Sequence, residues 1–185
     1  MAKNVKIRKY KNTKMKKSIY LLMGACIILL SACKDTAEVR QAEGGYTYKT
    51  SGVVRVQHGD TVANVHLTPE TGAMVLSSDK NGERATLNFN HSGGDGYDMH
   101  VVIRRDSLFL DPMERTIDVE VAQDTLALGT VTHRREAFRI KVNGDGKLLS
   151  NGDVCLTLSY TGHSINDNYT LSGTDIHVHC KRNAH

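Results

Sequence analysis

The stretch FRIKVNGDGKLLSNGDVCLTLSY, residues 138–160, decides the fold. At its start Phe138, Ile140 and Val142 alternate with Arg139 and Lys141. At its end Val154, Leu156, Leu158 and Tyr160 alternate with Cys155, Thr157 and Ser159. A period of two sends one set of side chains to a core face and the other set to the opposite face of a strand. Between the runs stand NGDGK (143–147) and SNGD (150–153), rich in the Gly and Asn that supply positive φ at hairpins. Both segments are therefore expected to be turns.

The same period extends outward in both directions. Met74 and Leu76 open one series, and Leu87 and Phe89 form another opposite Asn88 and Asn90. Tyr97, Met99, Val101 and Ile103 alternate against Asp98, His100 and Arg104, and Ile117, Val119 and Val121 against Asp118 and Glu120. QHGD (57–60), DKNGE (79–83) and HSGGDG (91–96) punctuate the runs, and no stretch carries a helical stripe. About ten short strands with turn chemistry between them predict an all-β domain, an antiparallel meander closed as a barrel or packed as a two-sheet sandwich. In YTLSGTDIHVH (169–179), Tyr169 and Leu171 are out of phase with Ile176 and Val178, so a β-bulge is expected at Ser172-Gly173.

The N-terminus reads differently. Eight basic side chains and no acid occupy the first seventeen residues, and a nearly uncharged run rich in Leu, Ile and Met follows from Ser18 to Ala32. That is the build of a secretory signal peptide, and the run is shorter than the roughly twenty apolar residues of a spanning helix. Met15, in MKKSIYLLM, is as good a start as Met1. Two cysteines follow small residues, Cys26 and Cys33. Leu30-Ser31-Ala32-Cys33 resembles the lipobox of bacterial lipoproteins, in which a peptidase cuts before the cysteine and its thiol carries a diacylglycerol. Cys33 is preferred because cleavage there removes the whole apolar run, whereas cleavage at Cys26 strands Ile27-Ile28-Leu29-Leu30 on the mature chain. The expected organisation is a signal peptide over 1–32, a lipidated Cys33 with a flexible tether over 33–44, and a single all-β domain over 45–185.

Cleavage changes the electrostatics. Eight of the 24 basic and none of the 20 acidic side chains lie before Cys33, so the remaining chain carries a formal charge of −4 rather than +4. A nucleic-acid partner wants a basic face with stacking aromatics, and neither survives the cut. The expected attachment is to the outer membrane of a cell envelope, through the lipid.

Cys155 and Cys180 remain in the mature chain. An exported pair invites a disulfide, yet Cys155 lies opposite the Val154 face while Cys180 shares the face of Ile176 and Val178. On neighbouring strands the two thiols would point to opposite sides, so no bond is expected.

The segments YKTSGVVRVQHGDTVANVHL (48–67), ATLNFN (85–90) and FRIKVNGDGKLLSNGDVCLTLSYTG (138–162) together resemble the calycin-like β-barrel lipoproteins of Bacteroidetes. The likeness rests on a Tyr-x-x-x-Gly-like first strand, an Asn-Phe late in an early strand and a closing Gly-x-Leu hairpin. It implies a small lipocalin-like barrel in the cell envelope and supplies no catalytic residues. CKDTAE (33–38) resembles the surface-export signal of the same phylum. Asp35-Thr36-Ala37, Asp60-Thr61-Val62, Asp106-Ser107-Leu108 and Asp124-Thr125-Leu126 match its O-glycosylation pattern at Thr36, Thr61, Ser107 and Thr125. Asp-Ser/Thr is also ordinary turn chemistry before a strand.

The sharpest chemical constellation is DIHVHC (175–180). Asp175, His177 and His179 fall on one strand face, and two imidazoles with a carboxylate can bind zinc or copper given a further ligand from a neighbouring strand. The simpler account, and the favoured one, is the polar outer face of a terminal strand. HSGGDGYDMH lacks the oxygen-ligand spacing of a calcium loop. GHSIN (162–166) lacks the closing Gly of a nucleophile elbow, and no zincin or P-loop motif occurs. No catalytic residue or cofactor is expected. The function expected is a non-catalytic binding module for a small apolar or glycan ligand, or for an envelope protein. An accessory lipoprotein without a ligand and a metal-binding envelope protein are the alternatives.

Overall fold

A computed structural model describes residues 40, 42–79, 83–124 and 131–184. The signal and lipobox residues, including Cys26 and Cys33, lie outside these, as do Thr36 and Thr125. Eleven strands account for nearly all of the described chain: β1 (Gly44–Ser51), β2 (Val53–His58), β3 (Thr61–His66), β4 (Thr71–Ser78), β5 (Arg84–His91), β6 (Tyr97–Arg104), β7 (Ser107–Leu110), β8 (Met113–Asp124), β9 (Val131–Leu148), β10 (Val154–Ser164) and β11 (Tyr169–Arg182).

All pairings are antiparallel. Running β1-β4-β5-β6-β7-β9-β10-β11 and back to β1 through Tyr46–Ser51 against Arg182–His177, eight strands close a barrel. Closure removes every edge from that ring and selects the barrel over the sandwich. Its interior is lined from all sides by apolar side chains: Tyr46, Met74, Leu87, Phe89, Met99, Leu108 and Leu156 are essentially inaccessible to solvent. Tyr46, wholly buried, donates its hydroxyl proton to the Ala42 carbonyl at 2.5 Å.

Three strands outlast the ring. β9, β10 and the start of β11 continue past the barrel and pick up new partners there. β8 pairs with Val131–Val142 of β9, while β2 pairs with Tyr169–Ser172 of β11 and carries β3 on its far side. The result is a second, open sheet in the order β3-β2-β11-β10-β9-β8, whose terminal strands β3 and β8 approach one another without pairing.

The waist between barrel and open sheet has sequence causes. The chain's two prolines both sit there. Asp111 N still donates to His100 O on β6 at 2.8 Å, but Pro112 has no N–H to continue that ladder, and β8 leaves β6 to follow β9 alone. Pro69 lies in the connector between β3 and β4, which is held by Leu67 N to Gly52 O at 3.0 Å and Thr50 N to Glu70 O at 2.9 Å. At the same level β11 carries its extra residue. Leu158 faces Ile176 and Tyr160 faces Gly173, which leaves Thr174 and Asp175 unpaired on β10. The bulge expected at Ser172-Gly173 therefore falls just downstream, between Gly173 and Ile176, and it marks where β11 exchanges β2 for β1.

One expected turn is not a turn. NGDGK lies inside β9, an eighteen-residue strand, and neither Gly144 nor Gly146 has positive φ. The reason is packing. Gly144 faces Leu158, and a Cβ on it would stand 2.3 Å from Thr157 O and 2.9 Å from Leu158 Cδ2. Gly52 is likewise set against Ile176, whose Cδ1 would lie 2.6 Å from an added Cβ. Large inward residues at the constricted waist are thus accommodated by glycine on the adjacent strand. The true turns include SNGD, with Gly152 at φ 88°, and QHGD, with Gly59 at φ 57°.

Gly144→Val is expected to cost about 1–3 kcal/mol by overpacking, read as a lowered urea midpoint. Gly59→Asn, in open space at a φ that Asn tolerates, should change stability by no more than about 0.5 kcal/mol. A harmless Gly144→Val would mean that the strand is interrupted at this point.

Candidate functional site

Alternation places an unexpected set of charges on the inner face. Arg115 precedes Ile117, Val119 and Val121 in phase, and Arg134 and Glu136 precede Phe138, Ile140 and Val142 in phase. All three side chains consequently point into the molecule, at two levels.

At the waist, Arg115 and Glu70 form a two-pronged pair. Nη2 donates to Oε1 at 2.5 Å and Nη1 to Oε2 at 3.2 Å. The pair is largely out of solvent, with side chains 12% and 24% exposed. The guanidinium lies 3.9 Å over the Tyr97 ring, and the Tyr97 hydroxyl stands 3.5 Å from Glu70 Oε2. Thr50 clasps the same residue, its Oγ1 accepting from Glu70 N at 2.8 Å. Burial raises the pKa of Tyr97 and pushes that of Tyr160 up to about 12, so both are neutral phenols at physiological pH. Tyr48 packs edge-on against Phe89 below them, with ring centroids 4.9 Å apart.

Beyond the waist the inner face of the open sheet ends in a cleft of about 390 Å³. Val56 of β2, Ala63 and Val65 of β3 and Val121 of β8 give it an apolar floor; His58, Thr61, Arg134, Asp167 and Tyr169 form its rim. Arg134 is fixed from two sides, by Glu136 at 3.1 Å and by a close contact with Asp167. That hydrogen bond, with one from Asn168 N, holds the Asp167 carboxyl below the usual carboxylate range. Asp167 is placed by the buried Ser164, whose Oγ accepts from Asp167 N at 3.0 Å and donates to its carbonyl. His58 and Tyr169 are register partners on β2 and β11, and their rings stack with centroids 4.3 Å apart. An apolar floor with a few oriented polar groups at its edge, at a volume within the common 300–1,000 Å³ range, is the build of a small-ligand site.

The residues singled out from sequence lie elsewhere. His177 and His179 project from the outer face of β11 and are exposed. Asp175 falls within the bulge, where its Oδ2 accepts from Thr174 Oγ1 at 3.2 Å. As their side chains stand, no three His, Cys, Asp or Glu among the described residues are grouped so as to hold a metal ion. Cys155 pairs with His179 and Cys180 with Val154, so the two thiols sit on opposite faces of adjacent strands and are unbonded. Burial raises the pKa of both thiols, most strongly for Cys180, where it reaches about 12. Thr61 opens β3 at the cleft rim and is exposed, whereas Ser107 is half-buried at the start of β7 and donates to Asp106 Oδ1 at 3.2 Å. Within HSGGDGYDMH, Asp98 accepts from Asn88 Nδ2 at 2.6 Å and His100 Nδ1 lies 3.2 Å from Thr86 Oγ1, both on the outer surface. Alternation carried the signal for Arg115, Arg134 and Glu136, since each prolongs an apolar inward series by one or two positions. His58, Asp167 and Glu70 lie in or beside turns and connectors and have no periodic signature.

Comparison with known proteins adds little to this geometry. No family model matches the chain, and no curated protein matches it. Among solved structures, a Bacteroides ovatus protein of unknown function is similar at 16% identity with a TM-score of 0.35. The match takes in 77% of this chain and spans 43% of that protein's length.

Proposed function

We propose that this chain is a lipid-anchored, non-catalytic binding protein of a bacterial outer membrane, holding a small amphipathic ligand in the cleft between β3 and β8. The observation that carries the proposal is the contrast between the two halves of the molecule. The inward side chains of the barrel are closed off from solvent, while the open sheet leaves a solvent-reached space of about 390 Å³ over an apolar floor. This reading places the ligand at the mouth of the open sheet rather than inside the barrel, where eight-stranded lipocalins hold theirs. The rim suits a partly polar ligand: Arg134 and Asp167 orient hydrogen-bonding groups, and the stacked His58–Tyr169 pair offers a flat surface of the kind that meets apolar or sugar rings. The anchoring half of the proposal rests on Leu30-Ser31-Ala32-Cys33 and the apolar run before it.

The anchor is tested by feeding cells an alkyne analogue of palmitate. The membrane fraction should carry label in the wild type and in Cys26→Ala but lose it in Cys33→Ala, and the reverse pattern would overturn the assignment. The cleft is tested by native mass spectrometry of protein purified from its host. A mass adduct should accompany the wild type and disappear in Ala63→Trp, which fills the cleft from an exposed position. No adduct on the wild type, or an adduct that survives Ala63→Trp, would favour an accessory protein whose interior is packed throughout.

A further inference from the structure

The row of Asp175, His177 and His179 lacked one thing for metal binding: a ligand from a neighbouring strand. The register supplies it. Cys155 of β10 lies directly opposite His179, and Thr157 opposite His177. Cys155 alternates with the buried Val154 and Leu156, so its thiol is on the same outer face as the two imidazoles and is partly exposed. Side chains directly opposite on antiparallel strands have Cβ atoms about 4.5–5.5 Å apart, and the diagonal neighbour is about 7–8 Å away. Residues two apart on one strand are about 6.6 Å apart. Two imidazoles and one thiolate rising from such a triangle can meet a single ion at metal–nitrogen distances of about 2.0–2.1 Å and a metal–sulfur distance of about 2.3 Å.

A second observation orients one ligand. His179 Nε2 stands 3.5 Å from Asp153 Oδ2, and Asp153 is itself fixed, accepting from Arg182 N and from Asn151 Nδ2, each at 3.0 Å. Metal-bound imidazoles characteristically donate their other N–H to a carboxylate. With Nε2–H turned to Asp153, the Nδ1 lone pair of His179 is left for an ion. Lys147 of β9 faces Cys155 and Lys49 of β1 faces His179, and Asp145 of β9 faces Thr157 beside them.

We propose that Cys155, His177 and His179 form a three-ligand site for a thiolate-accepting divalent ion, zinc, on the outer face of β10 and β11. Asp153 acts as the positioning residue for His179. On binding, the side chains of His177 and Cys155 turn toward Nδ1 of His179, whose Nε2–H stays on Asp153. As the Cys155 Sγ–metal bond forms, the thiol proton passes to solvent, and a water completes the tetrahedral shell. The site is on the opposite side of the sheet from the cleft, so the two proposals stand or fall separately.

Cobalt(II) reports on this directly, because a thiolate ligand gives it a near-ultraviolet charge-transfer band. The full chain with Cys26→Ser and Cys33→Ser keeps Cys155 and Cys180 as its thiols. Titrated with cobalt(II), it should develop the band at one equivalent and lose it on adding zinc. Cys155→Ala should abolish the band, while Cys180→Ala, which alters only a core-facing thiol, should retain it. His177→Ala, His179→Ala and Asp153→Asn should each weaken binding by tenfold or more, with the thermal midpoint of the metal-free protein as the check on folding. Absence of the band, its survival in Cys155→Ala, or unchanged affinity in both histidine variants would overturn the proposal.

Discussion

The pair between Arg115 and Glu70 is the interaction on which the rest depends. An arginine pointing inward from a strand is costly, because its guanidinium keeps its charge at any physiological pH and burying an unpaired charge costs several kcal/mol. Here the cost is offset on every side. Glu70 takes two N–H groups, Tyr97 lies under the guanidinium plane, and Thr50 fixes the glutamate's own backbone. A pair satisfied in this way contributes specificity as much as stability: it has one good geometry, in which the β3–β4 connector lies against the first residues of β8. That contact is what joins the two flanks of the open sheet.

Everything above the waist follows from where partners change. β9, β10 and β11 are continuous, so the open sheet inherits the barrel's twist and inward face. Their outer partners are not continuous, because Pro112 breaks the ladder between β6 and β8, and Gly52 with the β11 bulge separates β1 from β2. With β3 and β8 tied at the waist by Glu70 and Arg115 but unpaired above it, the inner face opens toward its mouth. The cleft is thus a consequence of two prolines, two tightly packed glycines and one bulge.

Much of this was legible in residues of the period-two runs. Alternation identified the core faces of the strands around Leu87, Met99, Val119, Ile140 and Leu156, and the phase break in β11 identified a bulge. What it could not show is that a Gly-rich segment such as NGDGK runs straight through a strand, since the same composition serves a tight turn and a crowded sheet. Distinguishing the two needs the neighbour: only Leu158 on β10 explains Gly144. The waist pair was hidden for a similar reason. Glu70 sits in a connector and Arg115 at a strand start, forty-five residues apart, and nothing local couples them. The cross-strand partner of His179 was equally out of reach until register placed Cys155 beside it.

If Arg115 and Glu70 hold the open sheet to the barrel, that sheet is a separate layer whose protection depends on the pair. Native-state hydrogen exchange of Arg115→Met, which keeps the side-chain volume and removes the charge, reads out that dependence strand by strand. Amides of β3 and β8 should lose protection relative to the wild type, while those of β4, β5 and β6 exchange as before. Uniform loss of protection across all strands, or no change in β3 and β8, would contradict it.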